Sequence, residues 1–173
     1  MALISSLVII RALSVAHITL AFFFLTAPKL IAEQNLVVIL GASMRLPQPS
    51  GFDSPSDATA FVAIILAFLG LSDFTAASIR DELALSYWSS QLPVRLFFLF
   101  FVTGYTYLFK RGPETFGEAI KHTSGPADGL KNSLVFTWGF MEVTTWFWIY
   151  TSMRDEIRQL SNRQAEKDRD KNA

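Results

Sequence analysis

Cysteine is absent from this chain of 173 residues, and histidine occurs only twice. Without cysteine there is no disulfide, thiolate metal site, iron–sulfur cluster or cysteine nucleophile, and two histidines leave little for a zinc centre. Charge is also scarce and balanced, because 15 Lys and Arg face 15 Asp and Glu. No strongly basic face is available to hold a phosphate backbone. We therefore expect no nucleic-acid partner, no metal and no cofactor.

Apolar residues are abundant instead. The chain is 51% hydrophobic and 14% aromatic, with a mean hydropathy of +0.33. This composition favours a membrane protein over a soluble globular domain. Four long stretches carry very few charges: residues 4–27, 58–79, 92–109 and 132–153. A helix needs roughly 20 residues to cross the hydrocarbon core of a bilayer, so each stretch is long enough to do so.

The four stretches predict helices rather than strands of a barrel. They are continuously apolar and lack the two-residue alternation of lipid-facing strands. All 16 Phe except Phe52 and Phe116 lie within them, in runs that cover every face of a helix. A soluble all-helical protein is the alternative, but a helix that is apolar on all sides has no face for water. We predict an all-α membrane protein in which residues 1–153 form a bundle of four transmembrane helices, with Pro93 in the first turn of the third.

The connections differ in character. Residues 29–45 form either an interfacial helix or the continuation of a long first helix broken at Pro28, and we favour a separate segment because the residue before a proline disfavours the helical conformation. Residues 46–57 hold three Pro and predict a loop. Residues 154–173 alternate charges of both signs and predict a solvent-exposed tail that continues the last helix and frays.

The orientation of the chain is less clearly encoded. Four crossings put both termini on one side, and Lys and Arg are divided almost evenly between the two sides, so the positive-inside rule does not choose between them. The last residues, RDKNA at 169–173, resemble the basic retrieval signals at cytosolic tails of endoplasmic-reticulum proteins. We therefore expect both termini in the cytosol. Residues 1–32 are read as an anchor and not as a cleaved signal peptide.

Each predicted span carries an ionisable residue, and three of them should lie in the same leaflet. A charge near the bilayer centre costs about 2.5–3.5 kcal/mol, so it normally faces the bundle interior, a partner or water. Counted from the side of the termini, Arg11, Asp73 and Arg95 all lie within about 10 Å of the surface. We predict that Asp73 pairs with Arg95, with Arg11 as the competing partner.

The two deepest ionisable residues are His17 and Glu142, both near mid-membrane. Contact between them would satisfy both groups. One hypothesis is a proton or cation site, since carboxylate and imidazole groups form proton relays in membranes. The other is a polar clamp that fixes the bundle, or a protonated Glu142 hydrogen-bonded to Thr144, Thr145 or a neighbouring helix. We favour the clamp, and the relay remains open.

No enzyme signature is present. The sequence lacks a glycine-rich phosphate loop, an HExxH motif and a Gly-x-Ser-x-Gly motif, so we expect a non-enzymatic protein. Small residues Thr103 and Gly104 in the third span would permit close helix approach. Trp138 and Trp146 in the fourth span are expected to serve helix packing or a partner surface.

Three segments together resemble a known family. They are MRLPQ at 44–48, LPVRLFFLFFVTGYTYLF at 92–109 and FMEVTTWFWIYTSMRDE at 140–156. They are similar, in this order, to segments of the fungal "increased loss of mitochondrial DNA" family of small multi-pass membrane proteins. The resemblance is strongest around Arg95 and from Glu142 to Arg154, and it fades in residues 110–131 and in the tail.

The resemblance implies an endoplasmic-reticulum membrane protein whose loss impairs maintenance of the mitochondrial genome indirectly. It implies no catalytic residue. Our leading hypothesis is a subunit or adaptor that packs its helices against the lipid bilayer and a larger membrane-protein partner, in connection with lipid handling. The second hypothesis is a small ion or proton transport element centred on His17, Asp73 and Glu142.

Overall fold

The protein is all-helical in the part that the structure describes. This computed structural model describes residues 4–109 and 127–172, and no strand occurs among them. The helices are α1 (Ser6–Thr26), α2 (Pro28–Ala32), α3 (Asn35–Ser43), α4 (Asp57–Ala76), α5 (Asp81–Leu108) and α6 (Ser133–Asn172), with a short 3-10 helix at Asp128–Leu130. The predicted all-α class is therefore confirmed.

The helix boundaries follow local chemistry. α1 ends at Thr26 because Ala27 precedes a proline and adopts a non-helical conformation, and Pro28 then occupies the first turn of α2. α4 begins with a capping box. The hydroxyl of Ser56 accepts from the backbone N–H of Thr59, and the hydroxyl of Thr59 accepts from the backbone N–H of Ser56. The separate segment expected after Pro28 is present, but as two short helices with a break between Ala32 and Asn35.

The third long helix begins earlier than the sequence indicates. α5 starts at Asp81 rather than near Leu92, so Pro93 lies inside the helix and not in its first turn. The reason is a narrow apolar stripe in a polar segment: Ala84, Leu85 and Trp88 are buried at helical spacing. Residues 80–91 are thus mostly helix instead of a connection.

The four long helices alternate in direction and form two closely packed pairs. In the first pair, α1 and α4 run antiparallel, and a Cβ placed on Gly70 of α4 would lie only 2.7 Å from the backbone oxygen of Ser14 in α1. In the second pair, α5 and α6 run antiparallel, and Gly139 of α6 packs directly on the hydroxyl of Thr103 in α5. Glycine is required at both crossings because a side chain there would collide with the partner helix.

The bundle has two distinct ends. We call the end that contains Ser6, the α4–α5 turn and Glu156 the terminal end, and the opposite end the loop end. At the loop end, residues 44–56 connect α3 to α4 and include nearly all of the loop predicted at 46–57, since Asp57 already begins α4. Ser133 at the start of α6 donates its backbone N–H to the carbonyl of Pro47 at 2.9 Å. This bond ties the MRLPQ segment to α6.

The buried apolar residues fall into two clusters. One lies towards the terminal end and contains Ile10, Trp88, Trp146 and Ile149. The other lies towards the loop end and contains Phe24, Leu66 and Leu134 with α2 and α3. Between the clusters lies the level of His17 and Glu142.

Candidate functional site

A bidentate ion pair connects the two helix pairs. Both terminal nitrogens of Arg95 in α5 donate to the carboxylate oxygens of Asp73 in α4, each at 2.6 Å. The side chain of Asp73 is only 3% exposed, and that of Arg95 is 20% exposed. The planar guanidinium matches the carboxylate in this geometry, which makes the contact directional as well as strong. The structure thus brings together the two residues whose pairing we expected from depth.

The same arginine contacts two tryptophans. Its guanidinium carbon lies 5.1 Å from the ring centre of Trp88 and 4.8 Å from that of Trp146. The two rings stack on each other at 5.4 Å. Aromatic faces attract a cation, so the rings stabilise a charge that has little access to water. Sequence reasoning missed Trp88 because it placed this residue in a connection outside the spans.

His17 and Glu142 form the second link between the pairs. Nε2 of His17 in α1 lies 2.6 Å from Oε1 of Glu142 in α6, and the two residues are 1% and 6% exposed. The other carboxylate oxygen of Glu142 accepts a hydrogen bond from Nε1 of Trp146 at 2.7 Å. Both oxygens are therefore engaged.

Thr144, one of the alternative partners considered for Glu142, does not bond to it. Thr144 donates its hydroxyl to the carbonyl of Phe140, one turn earlier in the same helix. Trp146 takes that role instead, since it lies four residues after Glu142 and shares its helix face. Asp73, Arg95, Trp146, Glu142 and His17 consequently form one continuous network, which we call the central network.

Arg11, considered as the competing partner of Asp73, bonds to another group. Its Nε and one terminal nitrogen donate to the backbone oxygen of Ala77 at 3.0 and 2.7 Å, and it does not reach Asp73. Ala77 closes the C-terminal end of α4, where unpaired carbonyls carry partial negative charge. Arg11 therefore caps α4 within the first helix pair, and it lies outside the central network.

A third link between the pairs was not foreseen from the sequence. Glu156 in α6 accepts from the backbone N–H and the hydroxyl of Ser6 in α1, both at 2.7 Å. Ser6 is completely buried, and Glu156 is half-buried. The segment from residue 154 is thus not uniformly solvent-exposed: its first turn is held on α1, and α6 continues as one helix to Asn172.

The residues expected to serve helix packing divide into two groups. Thr103 lies at the α5–α6 crossing, but Gly104 does not, because nothing comes within 4 Å of a Cβ placed there. The glycine that permits the close approach is Gly139. Trp146 is 1% exposed and belongs to the interior, so it offers no partner surface, and Trp138 is partly buried against the same apolar cluster.

The arrangement can hold helices together and can carry buried charge. It contains carboxylates, guanidinium, imidazole and indole groups, each in contact with the next. Among residues 4–109 and 127–172, no group of three or more His, Asp or Glu side chains could hold a metal ion. The geometry thus fits the polar clamp as well as the proton site considered for His17 and Glu142.

Comparison with known proteins gives a family and one relative. Residues 4–163 match the family Ilm1, described as "Increased loss of mitochondrial DNA protein 1". The chain is 27% identical over 133 residues to Protein ilm1 of Schizosaccharomyces pombe, and the alignment covers 77% of this chain and 71% of the relative. No solved structure matches. The matched range holds the whole central network, and the family description links it to maintenance of mitochondrial DNA. The chain therefore belongs to the Ilm1 family, as its sequence segments indicated.

Proposed function

We propose that this protein is an integral membrane protein whose four long helices all cross the bilayer. The observation that carries the proposal is the outward exposure of large apolar side chains along these helices. Phe97 is 77% exposed, Phe68 73% and Phe101 66%. Such a continuous apolar surface is unfavourable in water and favourable in lipid.

The four helices support this proposal to different degrees. α1 and α4 are long and apolar enough to cross a membrane by composition alone. The exposed face of α5 is mixed up to Ser90, with Asp81, Glu82 and three serines beside exposed Leu83 and Tyr87, and it is apolar from Val94 onwards. α6 carries exposed Phe147 and Trp148 before its charged continuation. The last 15 residues of α5 would cover about 22 Å, so a crossing of a core about 30 Å thick would also include the turn of α5 before Val94. The alternating directions of the helices are compatible with four crossings.

Within this membrane we propose a subunit or adaptor in the endoplasmic reticulum, with both termini in the cytosol. The ionisable residues of the bundle interior are engaged with one another, which suits a scaffold better than a reaction centre. The exposed apolar surface of α4 and α5 is suited to a larger membrane-protein partner as well as to lipid. Maintenance of mitochondrial DNA would then depend on the protein indirectly, for instance through lipid handling, because a chain of zero net charge has no basic face for DNA.

Affinity purification in mild detergent tests the adaptor proposal. We expect a stoichiometric membrane-protein partner with the unmodified chain, and its loss on the double change Phe97→Ala and Phe101→Ala. The matched control is Phe22→Ala with Phe23→Ala, which removes the same side chains from the exposed face of α1. A chain that purifies alone contradicts the proposal.

A second candidate function is favoured by one contact. The 2.6 Å contact between buried His17 and Glu142 places two proton-exchanging groups together, as an ion or proton transport element requires. Reconstitution in liposomes tests it: a proton or cation flux that disappears in Glu142→Gln supports transport, and a silent reconstitution discards it. In cells, the clamp predicts that Glu142→Gln keeps its function, and loss of function at a normal protein level contradicts the clamp.

A further inference from the structure

Five buried side-chain polar atoms have no hydrogen-bond partner in the described part of the protein. One of them, Nε1 of Trp88, belongs to the apolar cluster towards the terminal end. The other four are Nδ1 of His17, Oγ1 of Thr103, Oγ1 of Thr137 and Nε1 of Trp138. More than nine in ten buried polar groups in proteins are paired, so these unpaired groups call for a physical reason. We call the last four atoms the mid-bundle polar layer.

The residues that carry these atoms lie on, or pack next to, a short stretch of α6. Thr137 and Trp138 are adjacent in this helix, and the next residue, Gly139, packs directly on the hydroxyl of Thr103. One turn after Trp138 lies Glu142, which contacts His17. Residues 137–142 of α6 span about 8 Å along the helix axis, so the polar layer is narrow. It lies between the two apolar clusters of the core.

Three elements contribute to the layer: α1, α5 and α6. Two of the residues are more than nine-tenths buried, since His17 is 1% and Thr137 is 4% exposed. Lipid cannot satisfy such groups because acyl chains neither donate nor accept hydrogen bonds. None of the residues that the structure describes pairs them, and a small polar molecule would satisfy these groups.

We propose that the mid-bundle polar layer is a binding site for internal water molecules. The atoms have different requirements: the indole N–H of Trp138 only donates, whereas a hydroxyl donates or accepts. In a neutral imidazole ring, Nδ1 of His17 accepts if Nε2 donates to Glu142 and donates if Nε2 accepts from Glu142; in a protonated ring both nitrogens donate. Water meets all these requirements because it donates and accepts in every combination, and buried waters typically make about three such bonds.

The inference goes beyond the proposed function and does not depend on it. An adaptor and a transport element would both retain such waters, as fixed bridges between helices in the first case and as part of a proton path in the second. If the layer is dry, the purification test of the adaptor is unaffected, because that test concerns the outer surface.

Radiolytic hydroxyl labelling of the full chain in lipid nanodiscs tests the proposal. X-rays generate hydroxyl radicals from water, so a buried side chain is modified only if water lies beside it. Two tryptophans of the same helix serve as controls: Trp146 is buried with its Nε1 bonded to Glu142, and Trp148 is 58% exposed on the outer face. We expect Trp138 to be labelled several-fold faster than both. A rate at or below that of either control overturns the proposal.

A substitution gives an independent readout through the sign of its effect. Thr137→Val removes a hydroxyl and keeps the shape. If the hydroxyl binds water, the change lowers the melting temperature; in a dry layer it removes an unpaired polar group, and the melting temperature stays the same or rises, which contradicts the proposal. Thr144→Val is the control, because the hydroxyl of Thr144 lies on the exposed face and bonds within its own helix.

Discussion

The contacts within the two helix pairs differ from the contacts between them. Inside a pair, backbones approach closely at small residues: Gly70 on Ser14 in the first pair and Gly139 on Thr103 in the second. Between the pairs, three carboxylates provide the specific contacts: Asp73, Glu142 and Glu156. Apolar side chains also meet between the pairs, but the polar links set how the pairs align.

This difference has a physical basis. If the helices cross the bilayer as proposed, they gain nothing by hiding from the solvent and would associate through close van der Waals packing and through polar contacts. Close packing needs small residues, but it does little to fix the orientation of one helix pair relative to the other across a wide interface. Ion pairs and hydrogen bonds are directional, and each has a defined partner. Close packing at small residues dominates within pairs, where the bonds of Arg11 to Ala77 are a polar exception, and directional polar contacts link one pair to the other. The two kinds of contact should therefore respond to different substitutions.

The largest effect is expected from Arg95→Met. It leaves the carboxylate of Asp73 buried without its cation, which should cost about 3–5 kcal/mol of unfolding free energy. The double change with Asp73→Leu should recover most of this loss. Unfolding in mixed micelles measures both, and Lys29→Met is the control, because the exposed pair of Lys29 and Glu33 should contribute less than about 1 kcal/mol. If Arg95→Met lowers the unfolding free energy no more than Lys29→Met does, the ion pair of Asp73 and Arg95 does not stabilise the bundle, and the account is contradicted.

Contacts within a pair are tested by Gly70→Ala. The added methyl group would meet the backbone oxygen of Ser14, which cannot rotate away as a side chain would, and the expected cost is about 1–3 kcal/mol. Gly104→Ala is the matched control in α5, where nothing lies within 4 Å of the new carbon, and it should be neutral or slightly stabilising. Equal effects of the two changes on the melting temperature would refute close packing at Gly70.

At the terminal end, Glu156→Ala removes the acceptor for the first turn of α1. The loss of a capping interaction costs about 0.5–2 kcal/mol. Hydrogen exchange should show faster opening at the first residues of α1, with little change in α4. Asp155→Ala, an exposed neighbour, is the control and should leave exchange unchanged.

The smallest effect is expected from Glu142→Gln. The amide keeps the shape of the carboxyl group and can still bond to His17 and Trp146, so only the charge contribution is lost, about 1 kcal/mol. Thermal unfolding in detergent checks this value. A loss as large as that of Arg95→Met would show that the ionised carboxylate is required.

Much of the helical architecture follows from the sequence because long apolar runs permit few solutions. Apolar runs of sufficient length, separated by loop residues, are enough to predict helices and their order. The depth of each charge along its run also predicted that Asp73 would meet Arg95, since these two residues lie on consecutive helices at the same level.

Features that depend on contacts between distant parts of the chain could not be predicted from local sequence patterns. The start of α5 and the part played by Trp88 depend on a stripe of three buried residues in a polar segment. The contact between Ser6 and Glu156 joins residues 150 positions apart, and no local pattern marks it. From the sequence, Gly139 and Gly104 are equally plausible sites of close approach between α5 and α6. Only the position of the helix crossing in the structure distinguishes them.

The central claim, that all four long helices cross the membrane, is tested most directly at its two middle crossings, α4 and α5, by placing single cysteines in this cysteine-free chain. Ser54→Cys, Ser78→Cys and Gly129→Cys lie at exposed positions in three different connections. A membrane-impermeant thiol reagent applied to sealed microsomes should label the cysteines at 54 and 129 from one side and the cysteine at 78 from the other. If positions 78 and 129 are labelled from the same side, α5 does not cross, and the four-span account is contradicted.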